Sequence, residues 1–130
     1  MILVDTSAWI EFLRGNASAT ADEVDRLLAH EIAVCDAVSM EVLAGARDDA
    51  HLRSLRGLLA RATRLPTFAS DYDDAAALYR RCRRSGVTVR RMIDCLIGAV
   101  AIRAGVPVLH ADVDFDHLAT VTDLQIHPSR

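Results

Sequence analysis

The opening nine residues constrain this chain more than any other stretch. Ile2-Leu3-Val4 run straight into Asp5, and Thr6, Ser7 and an amphipathic run follow. An apolar run that ends abruptly in an acid reads as a buried strand. The next segment reads as a helix over Ser7–Arg14, with Trp9, Ile10 and Leu13 on one face and Gly15-Asn16 as its stop. An α/β sheet places its ligands at the carboxyl ends of its strands. Asp5 therefore stands where chemistry is expected, although Asp5 or Thr6 can equally serve only as a helix cap.

The same alternation continues along the chain. Thr20 and Glu23 have the spacing of a capping box ahead of a helix through Val24, Leu27 and Leu28. Ile32–Cys35 reads as a second strand, followed by a helix from Asp36 to near Gly45. Asp48 or Asp49 caps a helix with a stripe of Leu52, Leu55, Leu58, Leu59 and Ala62. Leu65–Phe68, interrupted by Pro66, suits an edge strand.

Ser70 opens a helix with acids in its first turn and Arg80, Arg81, Arg83 and Arg84 in its last, the order that complements the helix dipole. Arg91–Arg103 is a nearly all-apolar helix and should be buried. Val106–Leu109 is a further strand, Phe115–Leu118 a short helix, Ala119–Val121 a last strand and Gln125–Arg130 a tail. Strands alternating with helices point to an α/β, three-layer α/β/α fold around a central parallel sheet of four to five strands. We read residues 1–130 as a single domain.

Composition narrows the chemistry. All 15 basic residues are arginine, so reactions that need a lysine are excluded. Cys35, Cys82 and Cys95 are widely spaced among apolar neighbours and read as reduced core thiols rather than a zinc or redox motif. Tyr72 and Tyr79 share helical spacing with Ala75, Ala76 and Cys82 and read as core. No basic leader precedes the first apolar run, and no apolar run is long enough to span a bilayer. The expectation is a protein without a membrane partner that is cytoplasmic, or secreted by a route the sequence does not show.

The acids are harder to place structurally. Asp94 lies between Met92-Ile93 and Cys95-Leu96-Ile97, and Glu41 between Met40 and Val42-Leu43. An unpaired carboxylate in such surroundings costs several kcal/mol or stays protonated, unless an arginine, an N–H cluster or a metal neutralises it. Asp112, Asp114 and Asp116 follow the Val106–Leu109 strand. Their spacing does not fit an EF-hand, whose sixth and twelfth positions here hold His117 and Asp123. If the strands ending at Asp5 and Asp112 are neighbours, both acids share one rim, and Glu41 and Asp94 can point at it. Carboxylate-only sites select Mg²⁺ or Mn²⁺, and a pair of such ions about 4 Å apart suits phosphodiester hydrolysis.

Asp5-Thr6-Ser7, Glu41 in MEVLAGAR, Asp94 in IDCLIGAVA and Asp112 in LHADVDFDHLA resemble the four acidic motifs of the PIN domain. The similarity is greatest to the small VapC-type toxins and covers nearly the whole chain. It implies a Mg²⁺-dependent endoribonuclease (Mn²⁺ as substitute), RNA as substrate, a homodimer, and a VapB-like antitoxin that joins it in a hetero-oligomer. Carried over, Asp5, Glu41, Asp94 and Asp112 form the catalytic, metal-binding quartet. Asp5 and Asp94 are then the principal ligands, Glu41 orients water or binds the metal through it, and Asp114 is a candidate second-site ligand. Thr6 and Ser7 are expected to support Asp5 beside the substrate. His110 stands where relatives often carry Thr, Ser or Asn; it can polarise a phosphate or replace a structural hydroxyl, and we prefer the second reading.

An acidic site that cuts a polyanion needs positive charge beside it. Arg90 and Arg91, nearest Asp94, are the preferred substrate contacts. The arginines from 80 to 84 are equally consistent with a solvated helix end. A housekeeping RNA-processing nuclease and a non-catalytic PIN-like binding module remain the alternatives. A response-regulator phosphoacceptor is excluded by the missing lysine, and a haloacid-dehalogenase-like phosphatase by Ser7.

Overall fold

In the computed structural model, which describes residues 1–129, the strands and helices alternate as follows. Strand β1 is Ile2–Val4, followed by helices α1 (Thr6–Leu13) and α2 (Ala19–Leu27). Strand β2 (Ile32–Cys35) leads into α3 (Asp36–Ala44) and α4 (Asp49–Leu59), and β3 (Thr63–Leu65) into α5 (Ala69–Arg84) and α6 (Met92–Ala104). Strand β4 (Val108–Leu109) and α7 (Val113–Val121) complete the order.

The four strands form one parallel sheet in the order β3-β2-β1-β4. The first two crossovers step one way across the sheet and the third steps back over it. Right-handed crossovers therefore send α1 to α4 to one face and α5 and α6 to the other. The reversal falls between β1 and β4, the switch point at which α/β sheets open a crevice at their carboxyl ends. There the backbone N–H of Asp5 donates to the Leu109 carbonyl at 2.9 Å, which sets the two strand ends side by side.

Burial explains why these segments fold as they do. Leu3, Val4, Ala33, Val34, Val108 and Leu109 are all within 1 % of complete burial, as strands covered on both faces require. On the helical side, Trp9, Ile97, Val100, Phe115 and Leu118 fill the space against them. The α5–α6 connection makes an antiparallel hairpin, closed at its far end by Arg103, whose Nε donates to Asp71 Oδ1 at 2.8 Å. All three cysteines are free and buried.

Several expectations require correction. Ala119–Val121 is the last turn of α7 rather than a strand, because Phe115 and Leu118 bury on helical spacing and carry the β-branched residues with them. The sheet edge beyond β4 is instead touched by Ile126, bridged to Val108 in parallel register. The short helix expected over Phe115–Leu118 is correspondingly longer.

The third strand lies at Thr63–Leu65, upstream of Pro66, which has no N–H to continue the ladder. Helix α2 is capped by Ser18, whose side chain accepts from Ala21 N–H at 3.0 Å, and not by Thr20. Helix α5 begins after Phe68, one residue before Ser70. Tyr72 is exposed because Asp71 takes the inward position of that turn, and Ile10 and Leu13 stand at the surface beside buried Trp9.

Candidate metal centre

Four separate elements deliver acids to the β1–β4 rim. Asp5 leaves β1 and caps α1, so cap and candidate ligand prove to be the same residue. Its Oδ2 accepts from the Ser7 backbone N–H at 2.9 Å and from the Ser7 hydroxyl at 2.6 Å. Ser7 Oγ in turn accepts from Ala111 N–H at 2.9 Å. This relay stitches the segment after β4 to the first acid. Asp5 Oδ1 is buried with no hydrogen-bond partner among the described residues.

Asp94 lies in the first turn of α6, 2 % exposed, with Oδ2 likewise unpartnered. Burial, the negative charges of Asp5 and Asp112, and the neighbouring Asp114 carboxyl together push its pKa up to about 7, against the opposing pull of Arg91. Burial also raises Asp5, partly offset by its hydrogen bonds from Ser7, while the charge of Glu41 adds to the rise. Two buried acids that repel one another and keep an oxygen free have no structural reward for being ionised.

Asp112 and Asp114 close the group from the start of α7. Asp112 caps that helix, its Oδ1 accepting from Asp114 N–H at 2.9 Å. Asp94, Asp112 and Asp114 each offer one carboxylate oxygen, and these oxygens lie within 4.8 Å of one another. Glu41, on α3, lies close enough for its charge to act on Asp5. Its Oε1 accepts from the Thr6 hydroxyl at 2.8 Å and its other oxygen pairs with Arg91. The Thr6 hydroxyl thus serves Glu41, while the Thr6 backbone N–H, like Ser7, acts on the Asp5 carboxyl.

The two expected substrate arginines are engaged with the acids. Arg90 Nη2 reaches Asp112 Oδ1 at 2.9 Å, and its Nε reaches Asp114 Oδ1 at 3.2 Å. The Arg90 backbone N–H also donates to Asp114 Oδ2 at 3.1 Å. His110 Nδ1 accepts from Asp112 N–H at 3.1 Å, so the neutral ring carries its proton on Nε2, which faces Asp116 Oδ1 at 3.0 Å. The ring therefore holds the turn that aims Asp112. The Ser7–Ala111 relay left no signal in the sequence, since it joins residues 104 positions apart.

The donor set is all oxygen, with two buried carboxylate oxygens that have no hydrogen-bond partner among the described residues. That chemistry fits a hard divalent cation.

Residues 2–121 match the PIN domain family model. The chain is 47 % identical to Ribonuclease VapC11 of Mycobacterium tuberculosis, over 96 % of each chain. It is 30 % identical to Ribonuclease VapC18 of the same species over 92 % of this chain and 88 % of that protein. Among solved structures, VapBC2 from Rickettsia felis, bound to a promoter DNA fragment, superposes with a TM-score of 0.76 at 16 % identity, covering 98 % of each chain. M. tuberculosis VapC20, described as a toxin that cleaves the sarcin-ricin loop, superposes with a TM-score of 0.70 at 18 % identity, covering 96 % of this chain and 99 % of that one. Family model, sequence relatives and strand-end acids on a four-stranded parallel sheet agree: the chain belongs to the PIN domain family.

Proposed function

We propose that this protein is a metal-dependent endoribonuclease, the toxin of a type II toxin–antitoxin pair, held in check by a VapB-like antitoxin. It works in the cytoplasm as a single PIN-like unit over residues 1–130 and as a homodimer. The carrying observation is the pair of buried, unpartnered oxygens on Asp5 and Asp94. The relatives named above as ribonucleases and toxin–antitoxin complexes support the same reading.

Asp5, Asp94 and Asp112 would hold Mg²⁺ or Mn²⁺, with Asp114 as a further ligand. Such an ion supplies charge stabilisation at the scissile phosphate and activates water for attack. Glu41 orients the attacking water through the carboxylate that Thr6 and Arg91 fix in place. Ser7 keeps Asp5 turned toward the pocket. Arg90 and Arg91 stand at its mouth for the phosphate oxygens of the strand being cut.

The test is cleavage of a defined single-stranded RNA by the purified protein in Mg²⁺ and in EDTA, beside Asp5→Asn and Asp94→Asn. Loss of several kcal/mol of charge stabilisation corresponds to a drop of about 10³-fold or more. Mg²⁺ at a hundred times its Kd should stabilise the wild type by about 2.7 kcal/mol and leave Asp94→Asn unmoved. Wild-type protein no more active than Asp94→Asn, or calorimetry without Mg²⁺ binding, overturns the proposal.

A further inference from the structure

Six arginines lie within twelve residues, from Arg80 to Arg91. Arg90 and Arg91 are bound to the acids of the centre. Arg80, Arg81, Arg83 and Arg84 have no acidic partner among the described residues. Arg83 instead lies 5.9 Å over the Tyr79 ring of its own helix. Arg80, Arg83 and Arg84 stand at i, i+3 and i+4, so they share one face of α5, and they line an open concavity there.

The hairpin fixes where this patch lies. Asp71, in the first turn of α5, pairs with Arg103, in the last turn of α6, so the two helices run antiparallel. The last turn of α5 must then sit at the same end as the first turn of α6, which carries Asp94. The segment between them is tied down. Val87 N–H donates to the Cys82 carbonyl at 2.8 Å, Val89 is buried, and His117 Nδ1 meets the Thr88 carbonyl at 3.1 Å. The patch and Asp94 thus lie at the same end of the hairpin, joined by a segment held in place by these contacts.

We propose that the α5 arginine face is a docking site for the RNA backbone, gripping phosphates beside those being cut. This rests on the nuclease reading above and gives it a substrate track. Four unneutralised cations exceed what the roughly half charge at a helix C-terminus calls for. Guanidinium forks match phosphate oxygens in pairs, which a lysine cannot do. A chain of net charge −3 with an acidic pocket also needs a local positive surface to hold a polyanion.

Binding of a fluorescent oligouridine, measured against salt in EDTA so that nothing is hydrolysed, tests this. The Arg80→Gln/Arg83→Gln/Arg84→Gln protein should bind about a hundredfold more weakly at about 0.1 M salt. Its slope of log affinity on log salt should shrink by about 0.7 for each phosphate no longer neutralised, roughly 2 in all. The corresponding triple lysine variant keeps the charges, so it should retain the salt slope even if the glutamine protein folds poorly. With Mg²⁺, the glutamine variant should lose kcat/KM on a long RNA and keep it on a dinucleotide too short to reach the patch. An unchanged salt slope in the glutamine variant, or a wild type that binds no RNA in EDTA, overturns this proposal. So does preference of the patch for polyglutamate over oligouridine, which assigns it to an acidic protein. A wild type that binds with the expected slope yet never cleaves refutes the nuclease reading and leaves the docking face standing.

Discussion

Asp71 and Asp94 are both buried on the α5–α6 hairpin, at its opposite ends, with exposures of 0 % and 2 %. Asp71 has its charge met from every side. Its Oδ1 accepts from Arg103 Nε at 2.8 Å, and its Oδ2 accepts from Arg103 Nη2 at 3.1 Å and from Phe68 N–H at 2.8 Å. The Arg103 guanidinium holds its pKa below the usual carboxylate range. Asp94 has one orphaned oxygen and three carboxylates for neighbours, and burial pushes its pKa up to about 7. One acid is buried to hold helices together. The other is held open against the interest of the fold, and such conflict is the mark of a functional group.

The contrast can be broken by exchanging either acid for its amide. Asp71→Asn puts an N–H₂ where Arg103 and Phe68 already supply donors, which should cost about 2–3 kcal/mol of stability. Its RNA cleavage per folded molecule should remain, because Arg103 holds it nine residues along α6 from Asp94, about 13 Å. Asp94→Asn should do the reverse, with a melting temperature in EDTA equal to or above that of the wild type. Denaturant melts of both variants decide the matter. A destabilised Asp94→Asn beside an unaffected Asp71→Asn would invert the assignment.

Acidity sharpens the same contrast with a smaller effect. Asp94 binds its proton more tightly folded than unfolded, so the folded state gains protons relative to the unfolded one between about pH 4 and pH 7. Its contribution to stability in EDTA therefore falls as pH rises through that window. Asp71 has the opposite sign: its contribution is complete above about pH 4 and is lost as pH falls below it. The difference in stability between wild type and each variant, followed from pH 3 to pH 8, should slope in opposite senses in those two windows. A flat difference for Asp94→Asn between pH 4 and pH 7 would place that acid in contact with water or with a fixed donor.

How much of this was legible in the sequence follows from the range of the interactions. β1, β2 and the buried α6 were readable because local apolar runs coincide with what the sheet buries. Asp94 and Glu41 stood out because a charge inside an apolar run is a conflict visible without coordinates. The partner of Asp71 was not readable, since Arg103 is 32 residues away and both looked like ordinary helix-end charges. The same distance hid the engagement of Arg90 with Asp112 and Asp114, 22 and 24 residues on. The final strand was misread because the β-branched run at Thr120-Val121-Thr122 follows Phe115 and Leu118, and their burial on helical spacing outweighs local propensity.

The finest probe of the comparison leaves both carboxylates in place and changes the cation. Arg103 does more than neutralise Asp71: its Nη2 also donates to the Pro66 carbonyl at 2.6 Å, and its guanidinium lies 4.4 Å over the Phe68 ring. A lysine keeps the charge but cannot fork across two carboxylate oxygens while stacking on a ring. Arg103→Lys should therefore cost about 1 kcal/mol, less than Asp71→Asn, because the buried acid retains a cation and its Phe68 N–H. The Asp71 pKa, read by NMR titration, should rise toward the ordinary aspartate value. Asp94 should not move, since nothing that Arg103 touches reaches the rim. A shift at both acids would mean that the hairpin transmits strain along its length and that its two ends are not independent.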